Sequence, residues 1–282
     1  MEKLRTCDNA QLFTGTSKCP IDFGKMVGVI IVAEGTKLPA ELTAETLEEL
    51  VHADGNSRVY GLYKFVEYAK NGGEAQTSTN GYGPEQPNGI SARKDTYTML
   101  RFSPELHASL TKTSHIPRGA YFFDENNLLY GINDGSGTLA PFPMATIYSD
   151  ATPHPTSSAK SSMTVTFAFE DAKEAVEDFD FINLDFKPGR LTLGLNAVKL
   201  VKSDDKGGYK IYEKLGKYDL TPIFGPLFAE AGADAFQNKD ISAVTYDENS
   251  GTLILTDAGE DVKMAAPSVL YTKGIKGIQQ VA

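Results

Sequence analysis

The order of hydrophobic and polar positions along the chain predicts a protein built mainly from β-strands. Residues 162–169 alternate polar and apolar side chains, which is typical of a strand with one buried side and one solvent-facing side. Residues 26–33 are a short run rich in β-branched side chains and predict a buried strand. The pattern predicts further strands at 95–102, 143–150, 181–186, 190–202, 209–213 and near 267–273.

One short motif occurs twice and predicts two β-hairpins. Phe123-Asp124-Glu125-Asn126-Asn127 and Tyr246-Asp247-Glu248-Asn249-Ser250 each precede an apolar run that ends in an Asp at the same offset. Asp and Asn side chains hydrogen-bond to their own backbone and tolerate left-handed geometry, so each motif indicates a turn between two strands. The two hairpins are predicted at 119–134 and 241–257.

Helical periodicity is confined to a few short segments. Helices are predicted at 43–53 with Thr43 as N-cap, after Ser103-Pro104-Glu105, at 170–178 and at 222–231. The apolar spacing of residues 59–70 fits a helix, although their aromatic content also suits a strand. Residues 71–92 are rich in Gly, Asn and Pro and predict a long structureless loop that serves as an interaction element.

Together these elements predict a β-dominated α+β fold of mostly antiparallel, sandwich-like sheets with a few short flanking helices. Residues 1–24 show no clear period and predict an extended N-terminal arm. Residues 25–188 are predicted to form a β-rich core domain with long loops. Residues 189–282 are predicted to form a second β-rich region, and packing of this region on the same core stays open.

Charge and hydropathy change the picture by excluding classes of partner. The 282 residues carry a formal net charge of -10 without a basic run. Affinity for nucleic acid comes largely from Lys and Arg that neutralise phosphates, so we expect no tight nucleic-acid binding. The longest apolar run, residues 26–33, is too short to span a bilayer, and we expect no membrane partner. Polar residues follow Met1 to Thr6, so we expect no secretion signal.

Cysteine and histidine positions predict no metal centre. Cys7 and Cys19 are the only cysteines, and two free thiols in a reducing compartment are the favoured interpretation. A disulfide that closes a small N-terminal loop is the alternative. The histidines share no ligand spacing and are expected to be surface or structural residues: His52, His107, His115 and His154.

Recognisable catalytic motifs are absent from the sequence, which has no nucleophile elbow, P-loop or dinucleotide fingerprint. Residues 134–137, Asp-Gly-Ser-Gly, resemble a phosphate loop, but no Lys and no helix pattern follow them, so a tight turn is favoured. Residues 247–249 offer oxygens to calcium but lack the alternating acids of an EF-hand loop. The acids at 170–171 and 177–178 suit the exposed face of a short helix. We therefore expect no catalytic residue, no cofactor and no metal.

Two groups of residues remain as candidates for interaction. Tyr82 lies in the Gly-rich segment, where its ring could stack on a sugar. Four lysines surround the turn at 204–208 and could meet acidic residues of a neighbouring subunit, with a solvated hairpin tip as the alternative: Lys199, Lys202, Lys206 and Lys210.

Three segments resemble virion structural proteins of crAss-like tailed phages of gut bacteria. They are DTYT at 95–98, FDENNLLYGINDG at 123–135 and YSDATPHPTSS at 148–158. The resemblance runs over residues 20–200 and is looser beyond them. It implies a non-enzymatic subunit of the tail or head–tail region, such as a tail hub or ring component.

The same resemblance implies partners and a location. The partners would be copies of the chain itself and neighbouring tail or portal-region rings, and the protein would reside in a virion assembled in the host cytoplasm. The alternative is a glycan-binding module of a phage fibre or receptor-binding protein. The lack of Trp disfavours that alternative, because aromatic platforms for sugars favour Trp.

Overall fold

The computed structural model describes residues 23–79, 81–152, 154–157, 160–203, 208–259 and 261–281. The fold is β-dominated, with mostly antiparallel sheets, a few short helices and a sandwich-like arrangement, as the sequence predicts. The chain divides into two compact units. Among the described residues, the first unit spans 23–47 and 59–192, and the second spans 48–58 and 193–281. The N-terminal arm predicted at 1–24 falls outside the described residues except for Phe23 and Gly24.

The strands of the first unit are β1 (Met26–Ala33), β2 (Tyr60–Tyr63), β3 (Phe65–Asn71), β4 (Ala75–Thr79), β5 (Glu85–Ile90), β6 (Lys94–Met99), β7 (Arg118–Asp124), β8 (Leu128–Asn133), β9 (Leu139–Ala140), β10 (Phe142–Thr152), β11 (Ser162–Phe169) and β12 (Phe179–Asn183). Those of the second unit are β13 (Asn196–Lys202), β14 (Gly208–Glu213), β15 (Ala243–Asp247), β16 (Thr252–Thr256) and β17 (Ile278–Gln280). The α-helices are α1 (Ala44–His52), α2 (Pro104–Thr113), α3 (Glu174–Glu177), α4 (Pro188–Leu191), α5 (Thr221–Ala231) and α6 (Pro267–Thr272).

Strand pairing in the first unit follows a path that closes on itself. β2 and β3 are one stretch of chain that bends at Lys64, where φ is 74°. β2 pairs with β1, and β1 pairs with β7. From β7 the pairing continues through β10, β11 and β6 back to β3. β8 also pairs with β7 and carries β12 on its other side, so it branches from this path.

Aromatic rings fill the interior of this closed sheet. Tyr97 on β6 and Phe122 on β7 are not on neighbouring strands, yet their ring centroids lie 5.4 Å apart. Phe167 on β11 lies against both rings, at 5.8 Å from Tyr97 and 5.2 Å from Phe122. All three side chains are buried. Phe and Tyr thus supply the large buried surface that Trp would otherwise provide.

The second unit is a five-stranded sheet covered by α5. Its strand order is β15-β16-β14-β13-β17, and the pairing is antiparallel except between β13 and β17. Phe228 of α5 is fully buried in a cluster that includes Ile211 of β14 and Leu253 of β16. This unit therefore has an apolar core of its own.

Local sequence signals placed several elements correctly. Both repeated motifs form the turns of hairpins, β7–β8 and β15–β16. Thr43 caps α1, because its Oγ1 accepts from the backbone N–H of Thr46 at 3.1 Å. Ser103 caps α2 in the same way through the N–H of Leu106. Residues 59–70 are strands, β2 and β3, so the aromatic content was the better guide there.

Other predictions were wrong. Residues 71–92 contain the hairpin β4–β5 rather than a structureless loop. Residues 267–272 form α6 rather than a strand, because Pro267 fits the first turn of a helix, and Leu270 is buried. The last strand is β17. The predicted strand at 190–202 begins at Asn196, after α4, and only 174–177 of the predicted helix 170–178 is helical.

Candidate functional site

A hairpin arm extends the β3–β6 pair, and its strands are almost wholly exposed. We define the arm as residues 74–91, which hold β4 and β5. Gly72 and Gly73 join it to β3 with φ of 77° and 71°, values that favour glycine. At its base the N–H of Ser91 donates to the carbonyl of Glu74 at 2.9 Å. Every residue of β4 is exposed, and so is all of β5 except Ile90.

Tyr82 lies in the turn of the hairpin arm. Its side chain is fully exposed. The turn runs from Gly81 to Pro84, and Gly81 has a φ of 61°. The arm therefore presents an aromatic ring at the end of a two-stranded ribbon. The sequence pattern predicts instead that this ring lies in a long loop.

The predicted lysine group is only partly brought together. Lys199 pairs with Tyr212 and Val201 with Lys210 across β13 and β14, so Lys199 and Lys210 share one face of the sheet. Lys202 pairs with the buried Tyr209 and lies on the opposite face. Lys206 lies outside the described residues. Lys210 Nζ is 3.5 Å from Asp219, so an acid of the same chain already lies beside it.

The loop at 134–137 is tied to a distant lysine that sequence reasoning missed. Lys37 donates to Asp134 Oδ2 and, at 3.0 Å, to Ser136 Oγ. The hydrogen bond from Lys37, followed by those from the side chain and backbone N–H of Ser136, holds the pKa of Asp134 well below its usual range. The positive charge of Lys37 is thus paired with Asp134. This pairing favours the interpretation of residues 134–137 as a tight turn over that of an anion-binding site. Because the partners are 97 positions apart in the sequence, no local signal could have shown this contact.

A cavity of about 180 Å³ lies beside this loop. Tyr121, which is buried, lines it; its hydroxyl accepts from the N–H of Leu38 at 3.2 Å and donates to the carbonyl of Leu139 at 3.1 Å. Burial raises the pKa of Tyr121 to about 12. The hydroxyl therefore stays protonated near neutral pH and is bonded to backbone, so it is a poor candidate for a general base.

Acidic residues of α3 and its flanks repel one another. Burial first, and then the charges of Asp171, Asp178 and Glu170, raise the pKa of Glu174. Within the part of the chain that the structure describes, no three His, Cys, Asp or Glu side chains converge as metal ligands. The acids at 170–178 thus form a cluster in which the charged form of Glu174 is disfavoured.

Glu174→Gln should stabilise the protein at neutral pH. Because the pKa of Glu174 is raised in the folded state, its charged form is disfavoured there, and stability falls as pH rises through the carboxylate range. The variant should exceed the wild type by about a few tenths of a kcal/mol at pH 7, given partial solvent screening. The difference should vanish below about pH 4, where both states are protonated.

Urea unfolding at both pH values measures this effect. Glu177→Gln is the matched control, since Glu177 lies on the same helix but forms an exposed ion pair with Lys173. It should show no gain at pH 7. A Glu174→Gln chain no more stable than wild type at pH 7 would show that neither burial nor charge repulsion disfavours the charged form of Glu174.

His52 is held by backbone groups in the second unit. The N–H of Gly277 donates to Nε2 at 2.9 Å, so Nδ1 carries the proton and donates to the carbonyl of Glu48 at 2.8 Å. The ring also stacks on Tyr271, with centroids 4.8 Å apart. Both nitrogens are therefore engaged, and His52 has a structural role.

No model of a known protein family matches the chain. No curated protein matches it either.

Among the described residues, no helix is long and apolar enough to cross a membrane.

Proposed function

We propose that the chain is a non-enzymatic structural subunit that associates with copies of itself into a symmetric ring. The observation that carries this proposal is the hairpin arm, in which nearly every residue of both strands is exposed. A two-stranded hairpin is at best marginally stable in water unless another surface packs on it. An arm of this kind is suited to burial between subunits.

The resemblance to crAss-like phage virion proteins gives the proposal its setting. The ring would belong to the tail or head–tail region of a virion, next to other tail or portal-region rings. The net charge of -10 suits a subunit past which DNA moves without sticking, because fixed negative charge removes the counterion-release contribution to binding. Micromolar binding of duplex DNA at low salt would contradict this role.

Self-association of the purified chain tests the proposal. Sedimentation velocity over a range of concentrations, with negative-stain images, should show discrete oligomers and rings. The control variant replaces residues 75–90 with Asn-Gly, which closes the turn between the hydrogen-bonded Glu74 and Ser91. This variant should keep the circular dichroism spectrum of the core and lose the oligomers. A full chain that stays monomeric at every concentration would refute the proposal.

A glycan-binding module is the second candidate, and the full exposure of Tyr82 favours it. Aromatic rings at exposed tips can stack on sugars, and the Asn and Gln side chains of the arm offer hydrogen bonds. Glycan-array binding that is lost on Tyr82→Ala, by a chain that remains monomeric, would favour this candidate over the ring subunit.

A further inference from the structure

We propose that the free edge of β4 pairs antiparallel with β4 of a second copy, joining two hairpin arms into one four-stranded sheet. This inference rests on the proposed self-association and names the contact that produces it. Within the described residues, β4 pairs with β5 alone, so the other edge of β4 presents unpaired backbone N–H and C=O groups.

The sequence of β4 lacks the features that protect a strand edge. Natural edge strands carry proline or charged residues, especially Lys, which prevent pairing with another chain. β4 reads Ala75-Gln76-Thr77-Ser78-Thr79 and has neither charge nor proline. The opposite strand differs, since β5 begins with Glu85 and contains Pro87, which lacks an N–H. Of the two edges of the arm, that of β4 is therefore the one suited to pairing.

The composition of β4 also favours a second copy as the occupant. In an antiparallel pair centred on Thr77, that residue faces its own counterpart, Gln76 faces Ser78, and Ala75 faces Thr79. Every facing pair is small or polar and uncharged, and Thr pairs across strands are favourable. The pairing thus places no like charges together even though the whole chain carries -10.

The extent of the contact predicts a weak, reversible pair. Five residues at about 3.3 Å each give a paired edge roughly 17 Å long. Since a contact with two-fold symmetry closes after two copies, this pairing supplies a dimer step, and a larger ring needs a second contact elsewhere on the subunit.

A charge-swap experiment on the full chain tests the inference. Gln76→Lys with Ser78→Lys places two Lys–Lys pairs directly opposite each other, and the dimer dissociation constant should rise about tenfold or more. Gln76→Glu with Ser78→Glu should do the same. An equimolar mixture of the two variants should associate again, because each lysine then faces a glutamate. The matched control, Gln86→Lys with Asn88→Lys on β5, should associate like the wild type.

A cysteine crosslink locates the two-fold axis. Thr77→Cys, in a background with Cys7→Ser and Cys19→Ser, should form a disulfide-linked dimer on mild oxidation. Gln86→Cys in the same background should not.

The outcomes separate this inference from the proposed function. If the wild type forms oligomers but the lysine variant forms them equally well, or the lysine and glutamate variants fail to associate when mixed, the β4 contact is wrong and self-association stands. Loss of association in the β5 control would also overturn the assignment of the contact to the edge of β4. A wild type that remains monomeric would overturn both.

Discussion

Replacing Asp124 with alanine should cost about 3–5 kcal/mol of folding free energy. The Asp124 carboxylate is buried at the turn of the β7–β8 hairpin. Its Oδ1 accepts from the backbone N–H of Asn126 and of Leu128, both at 2.9 Å. Its Oδ2 accepts from the N–H of Gly24 at 2.7 Å and from the hydroxyl of Tyr130 at 2.6 Å.

The size of the effect follows from the donors that alanine leaves behind. Four donors converge on Asp124, and each buried donor that loses its partner carries a desolvation penalty of about 1–3 kcal/mol, reduced where water can enter. Tyr130→Phe removes only one donor and leaves the carboxylate in place. That variant should therefore lose about 1–2 kcal/mol.

The second copy of the motif supplies the control. Asp247 also accepts from the backbone two residues on, at 3.0 Å from the N–H of Asn249, and from Ser250 Oγ at 2.7 Å. It is only partly buried, and both partners belong to its own turn. Asp247→Ala should therefore cost much less than Asp124→Ala. Local hydrogen exchange in each hairpin measures the difference, since the two turns lie in different compact units, and equal losses would show that the buried network around Asp124 contributes little.

This contrast shows what the sequence can and cannot predict about a turn. The Asp-Glu-Asn motif predicts both hairpins, because the hydrogen bonds that make the turn are local. It does not distinguish the two copies, since the partners that set Asp124 apart include Gly24, 100 residues earlier in the chain. The same limit hid the contact between Lys37 and Asp134.

The errors in predicted elements have a related cause. Val269 and Tyr271 are typical strand residues, yet Pro267 begins a helix there and Leu270 packs into the second core. Residues 71–92 look irregular because their strands are almost wholly exposed, and alternation of polar and apolar positions is a signal of burial. The hairpin arm could not be found by that signal, although its exposure is the basis of the proposed function.

The sequence predicted the positions of the candidate interaction residues only in part. Tyr82 is predicted from composition alone and is exposed as expected. The four lysines were predicted as a group because they are close in sequence to the turn at 204–208. Alternation along β13 places Lys199 and Lys202 on opposite faces of the sheet. Alternation along one strand follows from the sequence, but the face that Lys210 of β14 shares with Lys199 depends also on how the two strands pair.

Gly61→Ala should destabilise the first unit by about 2–3 kcal/mol, because β2 and the segment around α4 approach too closely for a side chain. A Cβ on Gly61 would lie 2.0 Å from Cβ of Thr192 and 2.3 Å from its carbonyl oxygen. Thr192 is fully buried, and its N–H donates to the carbonyl of Pro188 at 3.1 Å, so it has little room to move. The clash involves the backbone of Thr192, so no change in its side-chain rotamer relieves it.

A second close contact makes the same region sensitive from the other side. A Cβ on Gly189 of α4 would lie 2.2 Å from the ring of Tyr63 in β2. The two glycines thus let β2 and α4 approach at two neighbouring points. Displacing α4 to accommodate an alanine at position 61 should therefore also disturb the packing of Tyr63.

Gly194→Ala is the matched control for Gly61→Ala, since a Cβ there would meet no atom within 4 Å. Its effect should stay within about 0.5 kcal/mol. Because the chain has two compact units, unfolding need not be two-state, so local hydrogen exchange is the sharper measurement. In Gly61→Ala the amide of Thr192 should exchange about 30-fold or more faster than in the wild type, the equivalent of about 2 kcal/mol. Unchanged exchange at Thr192 would mean that α4 can shift at little cost, and that the close approach of glycine to threonine does not stabilise the fold.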